Sequence, residues 1–292
     1  MYTVFKGGLV YSTDLREFVR ADILCEKEFT SKLTPGALLR PLRKEIELSK
    51  EDNNNNNNEP TVNYISIASG YYQGAIEINE ESTCILTGGT YTQDVNEWCA
   101  DGYVSQKNGD GTSWTVVKAN VALYHDKELV KQFASLHAAI DVAQANDVIV
   151  LLNNITEDVT VGKSLTIDGA EKSYTGNIAV KGNAGSTAVT VKNVNFVNGT
   201  GYAITTNSIK SITVDNCTVN NYGSGFLYSN KTTTNVIVKN VTVDGGNYGF
   251  HWVYGTKATL ENVTMTNVTY GLYIQNYASK TINLKNCNIS SI

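Results

Sequence analysis

The side chains able to do acid–base chemistry are sparse in the C-terminal half. From residue 163 onward the only acids are Asp168, Glu171, Asp215, Asp244 and Glu261. Glycosidic cleavage needs paired carboxylates, one donating a proton while the other activates the attacker. Asp215 and Glu261 fall into a repeating charge pattern described below, and Asp244 opens a "DGG" turn, where aspartate is a usual turn former. The four arginines (Arg16, Arg20, Arg40, Arg43) all precede residue 44. The three histidines are far apart, and His137 reads as a structural residue within a helical stretch. The five cysteines (Cys25, Cys84, Cys99, Cys217, Cys287) show no CxxC or metal-like spacing. Asp110, in "NGDG", reads as a turn residue, since a calcium loop needs more carboxylates at set spacing. No catalytic residue, metal site or cofactor is assigned, and the pattern points away from catalysis.

Composition narrows the partners. A formal charge of −5 and a pI near 5.3 argue against a polyanion-binding surface, and nucleic acid is not an expected partner. No apolar run is long enough to span a membrane. The start, "MYTVFKGGLVYSTDLREF", shows no basic n-region leading into a long apolar core, so no signal peptide is expected.

The chain divides by texture. Residues 1–50 hold every arginine and are expected to form an anchoring segment. Within it "STDLREFVRADIL" offers Ser12 or Thr13 as an N-cap, with Leu15, Phe18, Val19 and Ile23 at helical spacing. Residues 51–61, "EDNNNNNNEPT", read as an asparagine-rich linker. Residues 62–120 read as a small β module, with "ILTGGTYT" as a strand and "GYVSQKNGDGTSWTVV" as a hairpin. Residues 121–292 form the last domain. It opens with an amphipathic helix carrying Leu129, Phe133, Leu136, Ile140 and Ala143, then a strand in which Val148, Val150 and Leu152 alternate.

Within that domain the sequence repeats. "VTVKNVNF", "ITVDNCTV", "VIVKNVTV", "ATLENVTM" and "INLKNCNI" align on Asn193, Asn216, Asn240, Asn262 and Asn286, with steps of 23, 24, 22 and 24. Periods in the low twenties mark solenoids, whose units cover their apolar faces by stacking. Apolar residues alternate before each asparagine (Ile212, Val214) and resume in the opposite phase after it (Cys217, Val219). A strand that changes phase has turned a corner, and asparagine tolerates the left-handed backbone a corner needs. Stacked asparagines can then hydrogen-bond as a ladder. The neighbouring column, Lys192, Asp215, Lys239, Glu261 and Lys285, alternates in sign. A second strand is expected after Gly201, Gly225, Gly249 and Gly271. Cys217 and Cys287, three rungs or roughly 14 Å apart, read as core thiols beyond disulfide reach.

These units, fronted by "SLHAAIDVAQANDVIVLL", resemble the pectate-lyase-like right-handed parallel β-helix over residues 125–292. The stretch from "TGGTYTQDVNEWCADGY" to "SWTVV" is similar to pieces found beside such repeats in surface proteins of gut bacteria. The resemblance implies an all-β fold: a right-handed parallel β-helix with an N-terminal capping helix. Lyases of this family use calcium-binding carboxylates with an arginine or lysine base, and its hydrolases use clustered aspartates; neither set is found here. Two homes follow, a bacterial cell surface or a virion such as a phage fibre, and the expected role is non-catalytic display and adhesion. A polysaccharide lyase or hydrolase, intact or degenerate, is the alternative. Tyr222, Tyr248 and Tyr270 each precede a glycine at one point of the repeat, and His251 and Tyr273 occupy another column. Aromatic faces along a groove suit sugar rings, so Tyr248, His251, Trp252, Tyr270 and Tyr273 are the expected glycan contacts. Because the sequence stops within a unit, further repeats or a homotrimer are the expected covering for that end.

Overall fold

The computed structural model describes residues 2–5, 9–12, 17–20, 63–74, 82–275 and 279–291. The chain forms two compact units, Met1–Lys118 and Ala119–Ile292. The linker expected at 51–61 lies outside the described residues.

In the first unit, Tyr2–Phe5, Leu9–Ser12 and Glu17–Arg20 form a three-stranded antiparallel sheet. Over residues 17–20 the helix expected in "STDLREFVRADIL" is thus corrected: Val19 sits opposite Val10 and Phe18 opposite Tyr11, while 13–16 and 21–24 lie outside the described residues. Residues of high β-propensity were offered strands to pair with, and that pairing overrode a weak helical period.

Residues 63–118 hold a second, shorter repeat. Asn63–Ile67 runs parallel to Ser82–Leu86, and Tyr71–Tyr72 parallel to Thr90–Tyr91, in one register. Ile67, Gly70 and Tyr72 are followed 19 residues later by Leu86, Gly89 and Tyr91. Each tyrosine folds back to donate to the carbonyl three residues before it, Ser69 and Gly88, and the two rings stack at 5.0 Å. The expected single strand "ILTGGTYT" is broken at Gly88 and Gly89. A Cβ on Gly88 would lie 1.9 Å from the Ala68 carbonyl oxygen. The expected hairpin forms between Tyr103–Lys107 and Trp114–Lys118. Asp110 closes its turn by accepting the Thr112 and Ser113 N–H groups.

The second unit is a coil of parallel strands in three faces, here A, B and C. Face A includes Ala188–Lys192 and Thr281–Lys285, and face B includes Asn195–Val197 and Asn288–Ser291. Face C includes Ile178–Lys181, Tyr248–Trp252 and Tyr270–Ile274. Two long strands, Tyr202–Asn220 and Gly225–Asp244, carry the chain from face C through A to B. Each face pairs with the same face of the next turn: Val189 with Ile212, Ile212 with Val236, Val236 with Ala258, and Ala258 with Ile282. The alternating residues Ile212, Val214, Cys217 and Val219 all point inward and are buried. Burial pushes the Cys217 thiol up to about 12.

The asparagines stand at the A–B corner as expected, with φ between 51° and 54° at Asn193, Asn216, Asn240, Asn262 and Asn286. Asn216 donates to Asn193, Asn262 to Asn240, and Asn286 to Asn262, at 2.8, 3.0 and 3.2 Å. The ladder has one irregular step, where the Asn240 amide turns to the Asp215 carboxylate at 2.9 Å. It also begins earlier than the repeat, with Asn193 donating to Asp168. A second left-handed corner, at Asn198, Asn221 and Asn267, follows face B.

The helix expected at the N-terminal end is present but covers less of the sequence. The helix is short, Leu136–Val142, capped by the Ser135 hydroxyl and by the Glu157 carboxylate, which accepts the Leu136 and His137 N–H groups. Leu129 and Phe133 instead lie on a strand, Glu128–Phe133, that pairs antiparallel with Val121–His125. Asp126 and Lys127 both adopt positive φ, the hairpin geometry that ends any helix there. The expected strand follows as Val148–Leu151, with Ile149 and Leu151 buried. His137 lies outside the core, 3.4 Å from Asp141.

His125 is expected to make this end responsive to pH. Its Nδ1 lies 2.6 Å from Oδ1 of buried Asp147, whose other oxygen accepts the Gln144 N–H. The hydrogen bond to Asp147, then the charge of Asp126, raise the imidazole pKa. A folded value above the unfolded one, about 6.5, gives stabilisation that is complete below that pH and lost as pH rises through the folded value. Thermal melts are expected to fall between about pH 6 and 8, and His125→Gln should flatten the profile. A wild-type profile without that slope contradicts the pairing.

Candidate functional site: an aromatic ridge on face C

Face C carries an outward cluster of rings. Strand pairing aligns Tyr202, Gly225, Tyr248 and Tyr270 in one column, and Thr205, Tyr228, His251 and Tyr273 in the next. The columns are three residues apart because two successive residues between them turn inward, Ala203 and Ile204 or Gly249 and Phe250. Gly225 is where the column needs no side chain. Its φ is +130°, and a Cβ there would lie 1.8 Å from the Tyr248 carbonyl oxygen. In the space it leaves, Tyr202 and Tyr248, two rungs apart, bring their rings to 6.2 Å.

The rings stack on one another. Tyr202 lies 5.1 Å from Tyr228 at 20°, and Tyr248 lies 5.3 Å from Tyr270 at 16°. His251 sits among Tyr228, Tyr248 and Tyr273 at 4.7, 4.8 and 5.0 Å. Tyr273 stands crosswise, at 55° to both Tyr248 and Tyr270. The expectation of open aromatic faces along a groove is therefore modified: much of the face area is taken up between rings, and edges and phenolic groups form the rim. Tyr270 is the most open, 47 % exposed.

His251 is the polar centre. Its Nδ1 pairs with the Tyr202 hydroxyl at 2.9 Å. Its Nε2 is buried without a hydrogen-bond partner, and the Tyr273 ring stands at 77° to the imidazole. Burial lowers the imidazole pKa, which favours the neutral ring. Burial, and then the neighbouring Tyr248 and Tyr228, raise the Tyr202 hydroxyl.

Of the expected contacts, Tyr248, His251, Tyr270 and Tyr273 come together, and Trp252 does not join them. Trp252 points inward and is fully buried, in a column with Thr206 and Ser229, whose small side chains leave room for an indole. Tyr222 is also removed from the tyrosine column. It is buried, packs edge-on to Phe196, and its hydroxyl contacts Gly176 and Tyr174 backbone groups. Tyr202 and Tyr228 are the members missed. Aligning the repeat on Gly201, Gly225, Gly249 and Gly271 hid them, because Gly225 stands opposite Tyr248 and not opposite Gly249.

Most acids of the coil are engaged in its architecture, Glu171 being exposed. Asp168 pairs with Lys192 at 3.0 Å and accepts from Asn193; Asp244 accepts from Thr266 and Asn267; Glu261 pairs with Lys285. The alternating column is in register from Asp168 to Lys285, one rung longer than the repeat implied. Among the described residues no group of three or more His, Cys, Asp or Glu side chains could hold a metal ion, and no helix is long and apolar enough to cross a membrane.

A coil of stacked parallel strands with repeating left-handed corners defines a β-solenoid. Residues 176–292 match the family described as right handed beta helix region. The second unit is a right-handed parallel β-helix built of stacked repeats. No curated protein and no solved structure matches it.

Proposed function

We propose that this is a non-catalytic display and adhesion protein of a bacterial cell surface or virion, contacting carbohydrate through the ridge on face C. The observation that carries the reading is the ridge itself: Tyr202, Tyr228, Tyr248, His251, Tyr270 and Tyr273 form one connected, partly exposed cluster. Tyrosines give a large, rigid contact area with little conformational entropy to lose, and their hydroxyls meet sugar hydroxyls while ring edges meet C–H groups. The engagement of Asp168, Asp215, Asp244 and Glu261 in ladders and turns supports binding over hydrolysis.

The test is a glycan array with the intact protein, followed by titration of the strongest ligand. Tyr248→Ala and Tyr270→Ala are each expected to weaken binding about 30-fold, the scale of an interface hot spot. Retained affinity in both variants, or no glycan bound at all, overturns the reading.

A further inference from the structure

The lysines of the coil are sorted by position. Lys192, Lys239 and Lys285 belong to the alternating column on face A, where each has an acidic neighbour on an adjoining rung. The corner joining face C to face A is different. Successive turns place Lys181, Lys210, Lys231, Lys257 and Lys280 there, and the segments 181–188, 207–211, 230–235, 253–257 and 275–281 contain no acid. Lys280 is held, its Nζ donating to the Gln275 carbonyl and lying over Trp252. Lys181, Lys210, Lys231 and Lys257 are exposed and, among the described residues, form no ion pair.

This edge is electrically separate from the ladder. Glu261 lies four residues along its strand from Lys257, roughly 13 Å away, beyond a Debye length of about 8 Å at physiological salt. Turns stack at about 4.8 Å, and the register staggers the lysines along the corner, with Lys181 opposite Asn207 and Lys257 opposite Asn235, so the corner is a patch holding one lysine per turn and no compensating acid. A whole-chain charge of −5, which argued against a polyanion surface, does not register this sorting.

We propose that the C–A corner is a binding edge for a polysaccharide bearing sulfate or phosphate esters. An ammonium is a point charge that a tetrahedral ester group meets equally well from many directions. The guanidinium fork pairs with carboxylate and phosphate alike, and no arginine occurs beyond Arg43, so this edge offers point charges only. Nucleic acid is the weaker fit, because single strands require free aromatic faces for base stacking and the ring faces beside this edge largely cover one another.

The experiment measures binding of the whole protein to dextran sulfate, poly(glycerol phosphate), polygalacturonate, neutral dextran, duplex DNA and phosphatidylserine-containing vesicles. Binding to dextran sulfate or poly(glycerol phosphate) is expected, weakening on the order of 10²-fold between about 50 and 200 mM salt, as for some four paired cations. The variant Lys181→Gln, Lys210→Gln, Lys231→Gln, Lys257→Gln should abolish it without lowering the melting temperature. Lys239→Gln on face A should retain it, and so should Tyr248→Ala, which separates this edge from the ridge. Unaltered binding by the fourfold variant, no binding to either ester polymer, or preference for polygalacturonate, DNA or vesicles overturns the proposal.

Discussion

Gly225→Ala is expected to destabilise the coil by about 3 kcal/mol or more, through strain at a special backbone conformation and a clash with fixed backbone. The residue adopts φ +130°, a region L side chains rarely enter, and the new Cβ would lie 1.8 Å from the Tyr248 carbonyl oxygen. That oxygen belongs to the next turn and cannot move alone. Two adjoining turns must separate, taking with them the Tyr248 and His251 columns. For a unit of this size the loss corresponds to a melting point lower by roughly 10 °C. The ridge should loosen too, since the empty position lets the Tyr202 and Tyr248 rings approach. Differential scanning calorimetry reads the first effect and tyrosine near-UV dichroism the second. A variant that melts like the wild type shows that the turns do not stack as described.

Tyr222→Ala is expected to cost about 3–5 kcal/mol, the range for emptying a large aromatic site in a core. Its ring is fully buried, edge-on to Phe196 at 6.0 Å, with Phe196 in turn edge-on to Tyr174 at 5.7 Å. Its hydroxyl accepts the Gly176 N–H at 3.1 Å and lies 2.9 Å from the Gly176 carbonyl oxygen, so truncation also strands backbone groups of an earlier turn. Tyr222→Phe should cost about 1–2 kcal/mol, removing only the hydroxyl. Tyr248→Ala, on the outer surface, should cost less in stability than Tyr222→Ala while weakening ligand binding. Chemical denaturation of the three variants decides between them. Equal losses for Tyr222→Ala and Tyr248→Ala would place both rings in the same environment, contrary to the register.

The repeat was legible because its signal is local and redundant. Asn193, Asn216, Asn240, Asn262 and Asn286 each mark a corner that only a few residue types tolerate, and the phase of apolar alternation reverses at every one of them. A charge column that alternates over successive units fixes the pairing of the same strands independently. The coil, its inward faces and its ladder therefore followed from composition and spacing alone.

What stayed hidden depended on contacts between residues far apart in the chain. Glycine marks were a poor ruler for face C, since a one-residue slip exchanges inward and outward side chains. Aligning Gly225 with Gly249 left out Tyr202 and Tyr228, and Tyr222, grouped with Tyr248 because a glycine follows it, lies three residues before the Gly225 that faces Tyr248. Trp252 reads as an aromatic on a binding strand until Thr206 and Ser229 on the preceding turns are seen to make room for it inside. The helical spacing from Leu129 to Ala143 is real in sequence, but pairing of Glu128–Phe133 with Val121–His125 took half of it. The order of the turns and the composition of each are properties of the sequence. Which rings meet, which face water and which lysines share an edge were decided by the stacking of turns, because that alone brings residues some 23 positions apart to within one strand spacing.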